Sequence, residues 1–184
     1  SANQSPFQKI FDADLRDKKQ LVEVARELPL ANPIFSVINA AGIYQKTGQD
    51  AFDLESFNGN LKIAENILAV FTELLMSCGN HYSRIITVSS IDSIYGNVNS
   101  FSYSLAKSAV SKLVELYRKK FKDSAVQYDC ISPGGINSKM RAGKNEDKSK
   151  LVQPADIAKI CDCLLALSPG SECHEIVIRP KSFV

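Results

Sequence analysis

The sequence predicts an α/β domain built on a parallel sheet, and two observations carry that prediction. Short runs rich in Ile and Val alternate along the chain with longer stretches whose apolar residues recur at helical spacing. Strand–helix–strand crossovers require such an alternation. Prolines also stand at junctions, with Pro29 and Pro33 before one apolar run and Pro154 at the opening of a helical pattern.

Taken in order, residues 7–12 read as a strand and 18–28 as a helix with Leu21, Val24, Ala25 and Leu28 on one face. Residues 34–39 form the next strand. A broad stripe of Ile63, Ile67, Val70, Phe71, Leu74 and Leu75 predicts a long helix. A strand over 84–89 leads into a loop carrying Tyr95, Gly96, Asn97, Asn99 and Phe101. The helix with Tyr103 and Lys107 follows, its Ala106 and Ala109 small enough for close approach. Residues 126–131 are a strand ending at Ser132-Pro133-Gly134. Residues 139–150, dense in charge, read as a solvated loop that also suits a substrate lid. Ile157, Ile160, Leu164 and Leu165 give a last helix a core face, and 174–179 a last strand. With no repeat, low-complexity tract or linker, residues 1–184 form one domain.

Composition excludes several classes. With 45% hydrophobic and 23% charged residues and a net charge of +2, the chain offers no basic tract for nucleic acid. Arg118-Lys119-Lys120 sits where cations complement a helix C-terminus. No apolar run reaches the length of a membrane span. The five cysteines have no metal spacing, and Cys161 and Cys163 face different sides of a helix. They read as free thiols in a reducing compartment, hence a cytoplasmic protein. His81 and His174 have no acidic or Cys partner pattern, so neither a metal site nor a Ser-His-Asp hydrolase is expected.

The most informative feature is Tyr103 four residues before Lys107, with Ser90 thirteen residues upstream of Tyr103 at the end of an apolar strand. A phenol and an ammonium at i and i+4 share one helix face. A phenol titrates near pH 10, and a cation one turn away is expected to lower that value by favouring the phenolate. The Ser90 hydroxyl can donate to an oxygen where charge develops. Ser89, one step off register, points to the other side. The trio suits proton transfer to or from a carbonyl or alcohol oxygen.

At these residues the chain resembles the short-chain dehydrogenase/reductase family. Residues 84–140 carry the likeness most closely. Ile38-Asn39-Ala40-Ala41-Gly42 resembles the family's Asn-Ala-Gly motif after its fourth strand, and Pro133-Gly134-Gly135-Ile136 its Pro-Gly segment after the sixth. Asn60-Leu61 is similar to the segment carrying the family's catalytic Asn, with Asn58 a nearby competitor and an N-cap role open to either. The resemblance implies a Rossmann-like, doubly wound parallel sheet and an NAD- or NADP-dependent oxidoreductase acting on a small carbonyl or alcohol substrate. It assigns Tyr103 as general acid/base, Lys107 to the nicotinamide ribose, Ser90 to the substrate oxygen and Asn60 to a relay water. It places Asp14 at the adenine, and Asn39, Ala40 and Gly42 along the cofactor. Pro133, Gly134, Ile136 and Ser138 fall at the nicotinamide end, Ser138 standing where Thr is usual. A homodimer or homotetramer is implied, its axis crossed by the long helix.

The family's Gly-rich pyrophosphate turn is absent from the sequence, which begins near the family's third strand. The first two strands of the family's sheet lie between the third and the fourth, so their absence leaves the strand at 34–39 an open apolar edge. The expectation is a record of part of a longer protein. The alternative function is a catalytically silent binding or dimerisation protein. Tyr95, Asn97, Phe101 and the 139–150 loop are the expected substrate selectors.

Overall fold

A computed structural model describes residues 9–28, 36–44, 52–79, 82–141 and 147–181. In chain order they form α1 (Lys18–Glu27), β1 (Ser36–Asn39), α2 (Leu54–Ser77), β2 (Ser83–Val88), α3 (Asp92–Tyr95), α4 (Phe101–Lys120), β3 (Val126–Pro133), α5 (Pro154–Leu165) and β4 (Glu175–Ile178). Short 3-10 turns cover Val98–Ser100, Lys139–Arg141 and Lys148–Lys150. The four strands pair in parallel in the order β1-β2-β3-β4. The predicted α/β architecture with its parallel sheet is therefore present.

Local chemistry sets the helix starts. Asp17 accepts from the Lys19 N–H to cap α1, and Asp53 accepts from Ser56 N–H to cap α2. Neither Asn58 nor Asn60 is a cap: Asn58 is exposed and Asn60 is buried within α2. Pro154 opens α5 with a reciprocal Gln153–Asp156 capping box. Past the end of α2, Gly79 adopts φ 92°, a left-handed conformation that a side chain would strain.

Both faces of the sheet are covered, as a parallel sheet requires. Ile85 faces α2 and α4 in a cluster with Leu68, Leu75, Val114, Val126 and Tyr128. Its neighbour Ile86 points the opposite way, to Ile131, Cys161 and Leu164 on the α5 side. Each fully buried side chain of this size contributes about 1.5–3 kcal/mol. On the Ile86 side, Arg84 and Asp129 form a buried ion pair at 2.8 Å. Arg84 also donates to the Ser171 carbonyl at 2.9 Å and to the Tyr82 hydroxyl.

Three expectations change. Residues 9–12 carry no strand, and Phe7 lies outside the described residues. A strand needs a ladder partner, whereas Phe11 and Ala13 instead line a 350 Å³ cavity along Val37 and Ile38 of β1. Of the strand expected over 34–39, the described residues 36–39 form β1, with 34 and 35 outside the described residues, and β3 runs on to Pro133. The loop after the Arg84 strand is partly helical, holding α3 and a 3-10 turn, and α4 starts at Phe101. Among the described residues β1 is an edge of the sheet, and its Ile38 is 49% exposed.

The segment after β3 leaves and returns through a closed neck. Ile136 bridges Val152, the Val152 N–H donates to the Gly135 carbonyl at 3.0 Å, and the Asn137 N–H donates to the Val152 carbonyl at 2.9 Å. The charge-dense residues described between them, 139–140 and 147–150, are exposed. Cys161 is buried and Cys163 exposed, as their spacing predicts.

Candidate active site

The carboxyl ends of β2 and β3 meet α4 around a cavity of about 640 Å³. Beyond β2 the ladder still holds the chain: Ser89 N–H donates to the Ile131 carbonyl at 2.7 Å and Ile91 N–H to the Pro133 carbonyl at 2.9 Å. Extended backbone sends adjacent side chains to opposite sides. Ser89 Oγ donates to the Lys107 carbonyl at 3.2 Å and accepts from Ser111 Oγ at 2.9 Å, which ties β2 to α4. The Ser90 hydroxyl lies toward the Tyr103 hydroxyl, where it acts to lower the phenol's pKa. Ser90 Oγ also accepts from the Asp92 N–H at 3.2 Å.

Tyr103 and Lys107 share a face of α4, the Lys107 Nζ lying 5.7 Å from the Tyr103 ring centroid. Lys107 is only 4% exposed, and its Nζ makes one long hydrogen bond, to the Val88 carbonyl at 3.5 Å. Behind it stands Asn60. Its Nδ2 donates to the Ile43 and Ser56 carbonyls, both at 2.8 Å, and its Oδ1 accepts from the Ile43 N–H at 3.1 Å. Asn60 thereby pins the chain leaving β1, and Gly42 passes through the gap: a Cβ there would lie 3.0 Å from Lys107 Nζ and 3.2 Å from Asn60 Oδ1.

The electrostatics differ from the expectation. Burial pushes the Tyr103 phenol up to about 12, with Asp92 and Tyr44 adding to the rise and the Ser90 hydrogen bond opposing it. Burial also brings Lys107 down to about 8. The spacing argument saw the nearby cation but not the loss of water around both groups, and desolvation dominates.

The predicted residues fall in three places. Ser90, Tyr103, Pro133, Gly134, Ile136 and Ser138 line the large cavity, with Lys107, Asn60 and Gly42 clustered together behind Tyr103. Asn39 and Ala40 instead line the 350 Å³ cavity along β1. Asp14 lines neither cavity: at the surface before α1, its carboxylate holds Arg16 at 2.8 Å, which keeps its pKa low. Gly134 also has a packing reason, because a Cβ there would stand 2.9 Å from Pro180 Cδ. Of the expected selectors, Asn97 and the loop residues Met140 and Arg141 line the large cavity, while Tyr95 and Phe101 are exposed and do not. Phe101 stands two residues before Tyr103, about 200° around the helix, and faces away.

Two wall residues escape the sequence reading. Tyr44 packs edge-on against Tyr103, with centroids 5.2 Å apart and planes at 87°. Asp92 lines the cavity beside Ser90. The only local signal is spacing, each standing two residues beyond a residue already singled out, Gly42 and Ser90.

Comparison with known proteins gives this geometry a context. The chain is 26% identical over 133 residues to 2-dehydro-3-deoxy-D-gluconate 5-dehydrogenase of Bacillus subtilis (strain 168), covering 70% of this chain and 51% of that protein. It thus spans about half the length of that relative. It is also 26% identical over 184 residues to an uncharacterized oxidoreductase of Staphylococcus aureus (strain USA300), covering 94% of this chain and 76% of that one. Among solved structures, the fold matches a short chain dehydrogenase of Salmonella enterica serovar Typhi at a TM-score of 0.76 and 21% identity, over 93% of this chain and 73% of that chain. It matches an alcohol dehydrogenase of the archaeon Thermococcus sibiricus, complexed with 5-hydroxy-NADP, at 0.78 and 19% identity, over 91% and 72%. The model of the short chain dehydrogenase family matches residues 2–149, a span that takes in Ser90, Tyr103 and Lys107, and the chain belongs to that family.

Proposed function

We propose that the chain carries the catalytic part of an NAD- or NADP-dependent oxidoreductase that interconverts a small alcohol and its carbonyl. The observation that carries this reading is the convergence of the Ser90 and Tyr103 hydroxyls on one cavity wall, with a buried ammonium behind them.

The residues fit the nicotinamide half of such a cofactor. Lys107 Nζ is a buried donor with a single long hydrogen bond, suited to ribose hydroxyls. Pro133, Gly134, Ile136 and Ser138 line the same cavity and suit the nicotinamide end. The cofactor supplies or takes up the hydride. In carbonyl reduction Tyr103 gives its proton to the substrate oxygen while Ser90 donates a hydrogen bond to that oxygen as charge builds. The Lys107 ammonium stabilises the Tyr103 phenolate left behind until a proton returns. Asn60 fixes the Gly42 backbone beside Lys107 and keeps one Oδ1 lone pair for a relay water. Asn39, Ala40 and Asp14 belong to the remainder of the cofactor path.

The protein is read as cytoplasmic, which suits five free cysteines. No helix among the described residues is long and apolar enough to cross a membrane. A homodimer or homotetramer is read from exposed Leu54 and Met76 on α2 and Phe101, Leu105 and Leu116 on α4, and light scattering measures that mass directly.

The test is a reduction assay over a panel of small ketones with NADH and NADPH, in wild-type and Tyr103→Phe protein. Turnover that falls by about 10²–10⁴ in the variant supports the reading. Cofactor binding without turnover, unchanged by Tyr103→Phe, sinks it in favour of a silent binding protein.

A further inference from the structure

Tyr103 hangs from the first turn of α4 by rotatable side-chain torsions, and its hydroxyl lies at the far end of the ring. A small swing at either torsion therefore carries the hydroxyl away from Ser90. The helix fixes where the ring is attached, and its aim needs a neighbour on the ring's flank. Tyr44 supplies one. The two rings lie with centroids 5.2 Å apart and planes at 87°, an arrangement that aromatic quadrupoles favour. The Tyr44 side chain is itself held at both ends. Its hydroxyl shares a 3.3 Å hydrogen bond with Ser100 Oγ, at the N-cap of α4 and one turn before Tyr103. Its backbone follows Ile43, whose N–H and carbonyl both bond to the buried Asn60 side chain, at 3.1 and 2.8 Å. The Ile43 side chain packs into the space that Gly59 leaves on α2, where a Cβ would stand 2.7 Å from Ile43 Cδ1. A brace thus runs from α2, through the chain that leaves β1, to the Tyr103 ring.

We infer that Tyr44 is a positioning residue, which holds the Tyr103 ring so that its hydroxyl stays beside Ser90 when a substrate enters the cavity. This rests on the oxidoreductase reading above. Proton transfer needs the donor within hydrogen-bond reach of the substrate oxygen, and a reactive side chain keeps that reach only where packing locks its rotamer. The flank of the Tyr44 ring does the holding, while its hydroxyl anchors the brace at Ser100. Tyr44 also acts with burial to raise the Tyr103 pKa, which keeps the phenol protonated and able to donate during reduction. Both tyrosines line the cavity, so direct contact of Tyr44 with the substrate is the competing account. It carries a different kinetic signature, because a ground-state contact acts on KM and a positioning contact on kcat.

The test compares Tyr44→Leu and Tyr44→Phe with wild type in the ketone reduction assay, and locates Tyr103 in crystal structures of wild type and Tyr44→Leu. Tyr44→Leu is expected to lower kcat by about ten- to a hundredfold, with KM for ketone and cofactor kept within about twofold. Tyr44→Phe keeps the ring and is expected to hold kcat within about threefold of wild type. Thermal midpoints confirm that the variants fold. An unchanged kcat in Tyr44→Leu, or a Tyr44→Phe variant as slow as Tyr44→Leu, overturns the assignment and leaves the oxidoreductase reading standing. A loss carried by KM also overturns it and makes Tyr44 a substrate contact. If the wild type reduces no ketone, the oxidoreductase reading fails, and the crystal structures decide the brace alone. A Tyr103 hydroxyl displaced from Ser90 by about 1 Å or more in Tyr44→Leu then upholds it, and one that stays in place overturns it.

Discussion

The α-carbon of Gly42 faces the ammonium of Lys107 so closely that a methyl group on it would stand 3.0 Å from Nζ. The atom displaced is the far end of a flexible side chain, so Gly42→Ala is expected to cost less than about 1 kcal/mol of stability. The displaced group is also the proposed ribose ligand. A fall in kcat/KM of about ten- to a hundredfold is expected, with KM for the cofactor rising. Steady-state kinetics beside a urea titration would separate the two effects.

Burial of Lys107 makes stability depend on pH in a definite direction. Below about pH 8 the group is protonated in both folded and unfolded chains, and the folded state bears the whole desolvation cost. Between about 8 and 10.5 the folded chain releases its proton first, so stability rises with pH through that window. Lys107→Met is therefore expected to be more stable than wild type at pH 7, by up to roughly 3 kcal/mol, and to lose activity. The advantage should vanish by pH 10.5. Urea midpoints at pH 7, 9 and 10.5 check it, and a gap that stays constant across them would count against a buried, charged Lys107.

The two adjacent serines separate stability from chemistry. Ser90→Ala removes the hydroxyl beside Tyr103 and is expected to lower kcat by about 10²–10³, with little change in thermal midpoint. Ser89→Ala removes the tie between β2 and α4 and is expected to cost about 1 kcal/mol, with a far smaller kinetic effect. Reversed results would mean that the strand end is rotated.

Arg84 and Asp129 test the sheet that carries the site. Each is 1% exposed, so Arg84→Met leaves a buried carboxylate unpaired at a cost of about 3–5 kcal/mol. The double variant Arg84→Met/Asp129→Leu is expected to recover much of that loss. A double-mutant cycle by chemical denaturation measures the coupling.

Tyr103, Lys107 and Ser90 are legible in the sequence because their relation is set by local geometry, one helical turn and one strand end. Asn39 and Ala40 are legible only as a strand terminus. Which cavity they face depends on how β1 packs against α1 and α2, and they line the one along β1. Asp92 and Tyr44 are not legible, since loop side chains take their direction from tertiary contacts such as the Tyr44–Tyr103 edge and the Ser108–Ser93 tie. The rise in the Tyr103 pKa has the same origin: spacing reveals the neighbouring cation, whereas burial is a property of the whole fold.

The neck at Ile136 and Val152 makes the excursion between them an interchangeable cassette. Two main-chain hydrogen bonds, which together make the Ile136–Val152 bridge, close it at the base, so residues beyond the base can change without disturbing β3 or α5. The cassette contributes Ser138, Met140 and Arg141 to the cavity wall, while Ser90, just past β2, and Tyr103 and Lys107, on α4, lie outside it. Such a layout allows one wall of the cavity to be rewritten in a single loop while the sheet and α4 behind it stay as they are.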